Sequence, residues 1–285
     1  MKKLLISLAM LCLGMAAISQ QDVYDLYIPG DESSFTPPSA PADERGTTNG
    51  PIYNILYDNG PLVTNPGSGF GGADASVLQT ALGMNTYGFG HQIANGWWVA
   101  DEFTVPPGGW DIIGFGFFAY QTGSTTTSTF TAVQIMIFDG PPGAVGTNTL
   151  FGDNNTNRLT SSEFTNIYRV LDNAMSNTDR PIFRNDCMFN LQLPQGTYWV
   201  AWQAAGTLSS GPWVPPISVL GQTTTGNGQQ FTGSWAIAID TGTITAQGLP
   251  FFIYGPDPVP VTNWALFIGI GLILVFAMMR FRRIG

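Results

Sequence analysis

This sequence predicts a single all-β sandwich, and three observations carry that prediction. Apolar residues alternate with period two far more often than with period 3.6. Turns of Gly, Pro, Asn and Asp recur between those runs. Residues 51–255 are long enough for one such core. Aromatic residues make up 13% of the chain and charged residues only 10%. The usual charged share is about 25%, so solubility must come largely from Thr, Asn, Gln, Ser and Gly.

The segments follow in chain order. Residues 1–19 read as a secretory signal peptide, with Lys2 and Lys3 ahead of an apolar run from Leu4 to Ile18 and a small-x-small cleavage site at Ala17-Ile18-Ser19. Cys12 lies inside the apolar run without a lipobox. Cleavage therefore leaves Cys187 as the only cysteine, with no intramolecular disulfide open to it, and its neighbours Met188 and Phe189 favour burial. Residues 20–50 are polar, Pro-rich and aperiodic, as in Thr36-Pro37-Pro38-Ser39-Ala40-Pro41, and predict a disordered acidic linker. Within it, Val23, Tyr24, Leu26, Tyr27 and Ile28 suit an added edge strand.

Strand patterns fill residues 51–255. Trp97, Val99, Asp101, Phe103 and Val105 alternate with Trp98, Ala100, Glu102 and Thr104. Trp110 to Tyr120 carries Gly114 and Gly116 between apolar residues, as a buried strand with a close neighbour does. Phe130 to Phe138 is β-branched and aromatic, and ends at the turn Asp139-Gly140-Pro141-Pro142-Gly143. Tyr198–Trp202, Trp235–Asp240 and Phe251–Tyr254 read the same way. This spacing indicates a sandwich of jelly-roll type.

Residues 256–263 form a short Pro-bearing spacer, 264–279 an uncharged apolar run, and 280–285 an Arg-rich tail. At 1.5 Å per residue the apolar run spans about 24 Å, somewhat short of a hydrocarbon core of about 30 Å. Phe281 and snorkelling arginines make up the difference, and Trp264 suits the opposite interface. Arg280, Arg282 and Arg283 then act as a membrane stop on the cytoplasmic side, leaving the sandwich outside. A C-terminal helix buried in a soluble core is the competing reading.

Val259-Pro260-Val261-Thr262-Asn263-Trp264, the apolar helix and the terminal arginines resemble C-terminal sorting signals of the PEP-CTERM and IPTL-CTERM type. The chain lacks the Pro-Glu-Pro core of the first and is closer to the Ile-Pro-Thr-Leu-Ser-x-Trp pattern of the second. The resemblance implies transient anchoring in the inner membrane and processing by a sorting protease of exosortase type. Release, or transfer to surface material, would follow. Tyr57-Asp58-Asn59-Gly60-Pro61, Ala100–Pro106 and Thr197-Tyr198-Trp199-Val200 also resemble phrases of exported bacterial β-sandwich domains, which implies the fold and no reaction.

Charge and side-chain chemistry narrow the function. Between Gln20 and Pro258 the only cations are Arg45, Arg158, Arg169, Arg180 and Arg184, against all nineteen acids, a formal charge of −14. Such a surface repels nucleic acid and anionic headgroups. His91 is the only histidine, no G-x-S-x-G elbow exists, and one His with one Cys makes no transition-metal site. No catalytic residue is assigned. A two-carboxylate hydrolase would draw on Asp101, Glu102, Asp111, Asp139 and Asp240, although Asp101 and Glu102 on one strand point to opposite faces.

Calcium is the cofactor that the loops suit best. Asp153, Asn155 and Asn157 begin like an EF-hand loop, after which Arg158 stands where Gly is needed and Phe164 where Glu is needed. Asp172 and Asp179 bound a second candidate loop. Asp and Asn are also ordinary turn formers. Most of the domain's tryptophans belong in the core. Trp213, in Ser209-Ser210-Gly211-Pro212-Trp213-Val214-Pro215-Pro216, is the candidate ligand-binding exception, since burial is less assured in such a loop and an exposed indole there would offer a sugar-stacking face. The expectation is a non-enzymatic cell-surface or extracellular-matrix protein with a structural or adhesive role, acting through polysaccharide or self-association. A carbohydrate-binding module is the alternative, and a glycoside hydrolase a distant one.

Overall fold

The computed structural model describes residues 23–27, 53–257 and residue 280. Alternation along the strands sorts side chains into layers, and the layers define the fold. The strands are β1 (Tyr24–Leu26), β2 (Asn54–Asp58), β3 (Asp74–Leu78), β4 (Thr86–Gly90), β5 (Trp98–Val105) and β6 (Trp110–Ala119). They continue with β7 (Phe130–Phe138), β8 (Thr149–Gly152), β9 (Leu159–Leu171), β10 (Pro181–Leu193), β11 (Gly196–Gly206) and β12 (Trp213–Val214). Short strands β13 (Gln229–Phe231), β14 (Trp235–Ile237), β15 (Ile239–Asp240) and β16 (Thr245–Ala246) precede β17 (Phe251–Gly255).

Two six-stranded sheets face each other, one in the order β2-β17-β6-β10-β9-β3 and the other β14-β13-β5-β11-β7-β8. Every pairing in them is antiparallel except β3 with β9. A three-stranded sheet, β1-β4-β12, and a β15-β16 pair complete the sheets among the described residues. The expected all-β sandwich is what forms.

The main core lies between the large sheets. Phe115, Phe117 and Ala119 of β6, Phe183 and Cys187 of β10, and Phe251 and Ile253 of β17 meet Val99 and Phe103 of β5, Ile135 and Ile137 of β7, and Val200 and Trp202 of β11. Phe117 stacks on Trp202 with ring centres 4.7 Å apart. Gly114 and Gly116 are glycine for a steric reason. A Cβ on Gly114 would press on the Cys187 carbonyl, and one on Gly116 would collide with the Tyr254 hydroxyl.

The intervening residues of β6 build a second layer. Phe118, with Tyr120 just beyond the end of β6, packs with Tyr87 of β4, Ile182 of β10 and Trp213 of β12, so the small sheet covers the far side of β6. A third aromatic layer, Trp98, Trp199 and Phe138 with half-buried Trp235, covers the outer face of the β5-β11-β7 sheet.

The sorting motif, Val259 to Trp264, and the apolar run 264–279 lie outside the described residues, as do Arg282 and Arg283. Arg280 is exposed. Among the described residues no helix is long and apolar enough to cross a membrane. Within the stretch expected to be a linker, Tyr24–Leu26 forms the added edge strand, paired antiparallel to β4.

Candidate functional site

Trp213 sits where the sequence expectation fails. It is 4% exposed, and its strand pairs with β4 in the register Trp213↔Gly90. The positive φ of Gly211 turns the loop back on the body. There the Trp213 and Tyr120 backbones exchange hydrogen bonds of 2.9 Å, and the Trp213 Nε1 donates to Ser210 Oγ at 3.2 Å. Gly88 lets this happen, since a Cβ there would press on the Tyr120 hydroxyl and the Val214 carbonyl. The apolar indole gains more from covering Tyr120 and Tyr87 than the loop gains from solvation, so Trp213 offers no free stacking face.

Beside it opens a cleft of about 630 Å³, lined by Gln92, Asn95, Trp97, Ser209, Ser210 and Trp213 among wholly uncharged neighbours. Gln92 Nε2 donates to the Pro212 carbonyl at 3.0 Å. His91, next to it, is buried. Its N–H donates to Pro212 O and its carbonyl accepts from Ala204 N–H at 2.8 Å. Burial pushes the imidazole down to about 3, so it is neutral at neutral pH and serves as a core residue.

A smaller cleft of about 390 Å³ is bounded by Gly109, Trp110, Asp111, Gln192 and Pro194. Trp110 is half-buried, stacked on Phe103 at 6.5 Å. Asp111 beside it accepts from Gln192 Nε2 at 2.8 Å. Sequence reasoning placed Trp110 in a buried strand. The available signal was its position as the first residue after the Gly108-Gly109 turn, where a strand end meets solvent.

The acids that the sequence offered as catalytic are occupied in holding strands and turns. Asp101 is buried, with Oδ2 accepting from Leu249 N–H at 2.7 Å and Asn59 Nδ2 at 3.1 Å, and Oδ1 from Glu102 N–H at 2.8 Å. Burial pushes its carboxyl up to about 6, against those donors. Glu102 faces the other way and is partly exposed. Asp240, fully buried, collects Asn85 and Thr86 N–H on one oxygen and Gly242 and Thr243 N–H on the other. Asp139 closes its turn on Asn148 N–H at 2.6 Å.

The calcium candidates do similar work. Asp153 Oδ1 accepts from Asn155 and Thr156 N–H, both at 2.7 Å, and these bonds hold its carboxyl below the usual range. Asn157 bonds Val133 and Leu159 N–H through its oxygen and Thr131 O through its nitrogen. Asp172 accepts from Thr80 Oγ1 at 2.6 Å and Ala81 N–H at 2.7 Å, and Asp179 exchanges bonds with Asn177. These contacts describe Asx turns and, at Asp172, a bond across to the turn at Thr80–Leu82. Among the described residues no group of three or more His, Cys, Asp and Glu is arranged to hold a metal ion.

Two arginines hold the β4 region. Arg169, 1% exposed, donates to Tyr87 O at 2.9 Å, Ser218 Oγ at 2.9 Å, and Ser76 Oγ and Thr86 O at 3.3 Å. Burial lowers its guanidinium to about 10, still cationic at neutral pH. Arg180 lies 3.7 Å from the Tyr87 ring centre and pairs with Asp25 of β1 at 2.6 Å. Burial alone would lower Arg180, but the Asp25 carboxylate outweighs it and holds the guanidinium above its ordinary range.

Comparison with known proteins adds no assignment, since no family model, curated protein or solved structure matches this chain.

Proposed function

We propose that this chain is an exported, non-enzymatic surface protein with a structural or adhesive role, delivered by its signal peptide and held transiently by its C-terminal segment. The observation that carries this reading is where the two ends of the body leave it. β2 and β17 are neighbours, paired Asn54↔Gly255, and Asn54 Nδ2 donates to Pro256 O at 3.0 Å. The anchor side therefore emerges beside β2, the edge strand of its sheet, with the rest of that sheet stretching away from it, while the leader side leaves at Val23, where β1 lies on β4. The acidic composition of residues 20–258, which hold no lysine, suits an exterior surface. A jelly-roll classification is supported by the crossings of the chain between the two large sheets at β5–β6, β6–β7, β8–β9 and β10–β11. Protease treatment of intact cells tests the reading. Digestion of the body without lysis is expected, and protection of the body until lysis would overturn it.

A second reading, a carbohydrate-binding module, is favoured by the Trp110 cleft. A half-buried indole beside a carboxylate and an amide matches the apolar face and hydroxyl rim of a sugar ring. Trp213 is not its platform. Glycan-array signal lost in Trp110→Ala and in Gln192→Ala would support this reading. An empty array for the wild-type protein would end it.

A further inference from the structure

The sandwich closes without β1, and yet β1 is fastened to it firmly. Residues 28–52 separate Tyr27 from Tyr53, a connection of twenty-five residues that fully extended spans on the order of 85 Å. At its end, Asp25 reaches a site made entirely by distant strands and turns. Arg180 donates to it through Nε at 2.6 Å and through Nη2 at 3.3 Å. The Tyr120 hydroxyl donates at 2.9 Å and Thr122 Oγ1 at 3.2 Å. The strand pairs with the free edge of β4, with Tyr24↔Phe89 and Asp25↔Gly88 in register. Tyr24 packs edge-on against Phe89 at 5.8 Å, and Gln230 Nε2 donates to the Val23 carbonyl at 3.1 Å. Both charges are largely shielded, with side-chain exposures of 14% for Arg180 and 12% for Asp25.

We propose that β1 is an exchangeable strand, which docks on β4 of its own chain in dilute solution and on β4 of a neighbouring copy where copies are crowded. The β4 edge and the Arg180-Tyr120-Thr122 socket recognise a short strand by backbone pairing plus one carboxylate. Nothing in that recognition depends on which chain supplies the strand. The long connection sets an effective concentration for docking within one chain, which a densely populated surface can rival. Exchange needs no new interface, because every contact already exists in the monomer.

The inference rests on the structural reading above for its setting alone. Its failure would leave export and anchoring untouched, and failure of export would leave the exchange chemistry intact. The test uses the mature full-length chain in two charge-reversed forms. Asp25→Arg opposes its strand to its own Arg180, and Arg180→Asp opposes its socket to its own Asp25. Each repels itself and complements the other. Sedimentation of each variant alone should show monomer, and an equal mixture should show dimer. Monomer in the mixture of two folded variants overturns the proposal, as does dimerisation of either variant alone. If circular dichroism shows Arg180→Asp unfolded, the Asp25→Arg chain is titrated with a labelled peptide of residues 22–28. Binding at least tenfold tighter than that of the same peptide with Asp25→Asn is expected. Absence of binding, or equal binding by both peptides, overturns the proposal.

Discussion

Asp101 and His91 are buried groups whose titrations oppose one another. His91 is pushed down to about 3 by burial, against an ordinary value of about 6.5, so the unfolded chain takes a proton that the folded chain refuses. Stability from His91 is complete above about pH 6.5 and is lost as pH falls toward 3. Asp101 is pushed up to about 6, against about 3.9, so the folded chain keeps a proton that the unfolded chain releases. Stability from Asp101 is present below about pH 4 and is lost as pH rises through 6. Between pH 4 and 6 each contribution changes by on the order of 2–3 kcal/mol, in opposite senses. Urea midpoints across that window should therefore slope in opposite directions for His91→Gln and Asp101→Asn, relative to wild type. Parallel slopes would contradict the assignment. Arg169→Met should cost about 3 kcal/mol by chemical denaturation, because it leaves the Tyr87 and Thr86 carbonyls and two hydroxyls short of a donor. Cys187 was legible from its apolar neighbours. Trp213 was not, since its burial depends on Gly88 and Tyr120, more than ninety residues away in the chain.

Apolar runs rich in β-branched and aromatic residues, bounded by turn residues, made β5, β6, β7 and β11 legible, because both faces of these strands are covered and such strands read as nearly continuous apolar segments. The run Trp235–Asp240, read as one strand, divides at Ala238 into β14 and β15, while β12, β13 and β16 are too short for periodicity to mark. β1 was legible as a strand from Val23, Tyr24 and Leu26, but its socket was invisible, since Arg180 and Tyr120 meet Asp25 only in the fold. Deleting residues 20–27 leaves Arg180 buried without its carboxylate. It should lower stability by about 3–5 kcal/mol, read by chemical denaturation. Gly116→Ala should cost about 1–3 kcal/mol by displacing Tyr254 from Asp186, a bond of 2.7 Å at the β6-β10-β17 junction. Wild-type stability in either variant would contradict these roles.

Over the whole molecule, the sandwich, its two aromatic outer layers and the β1-β4-β12 sheet form one object with an acidic composition. Composition made the fold class and the charge readable. The candidate site was less so, because turn-forming Asp and Asn residues, metal ligands and paired carboxylates look alike until their partners are placed. Asp153, Asp172 and Asp240 each proved to be bonded to nearby N–H groups. The central claim, that both termini are addresses and the sandwich faces the exterior, is tested most directly by the intact mass of the protein purified from its native cells. The account predicts a chain beginning near Gln20 and shortened or modified in the region of 259–264. A cytosolic product with Met1 and Gly285 both in place would contradict it.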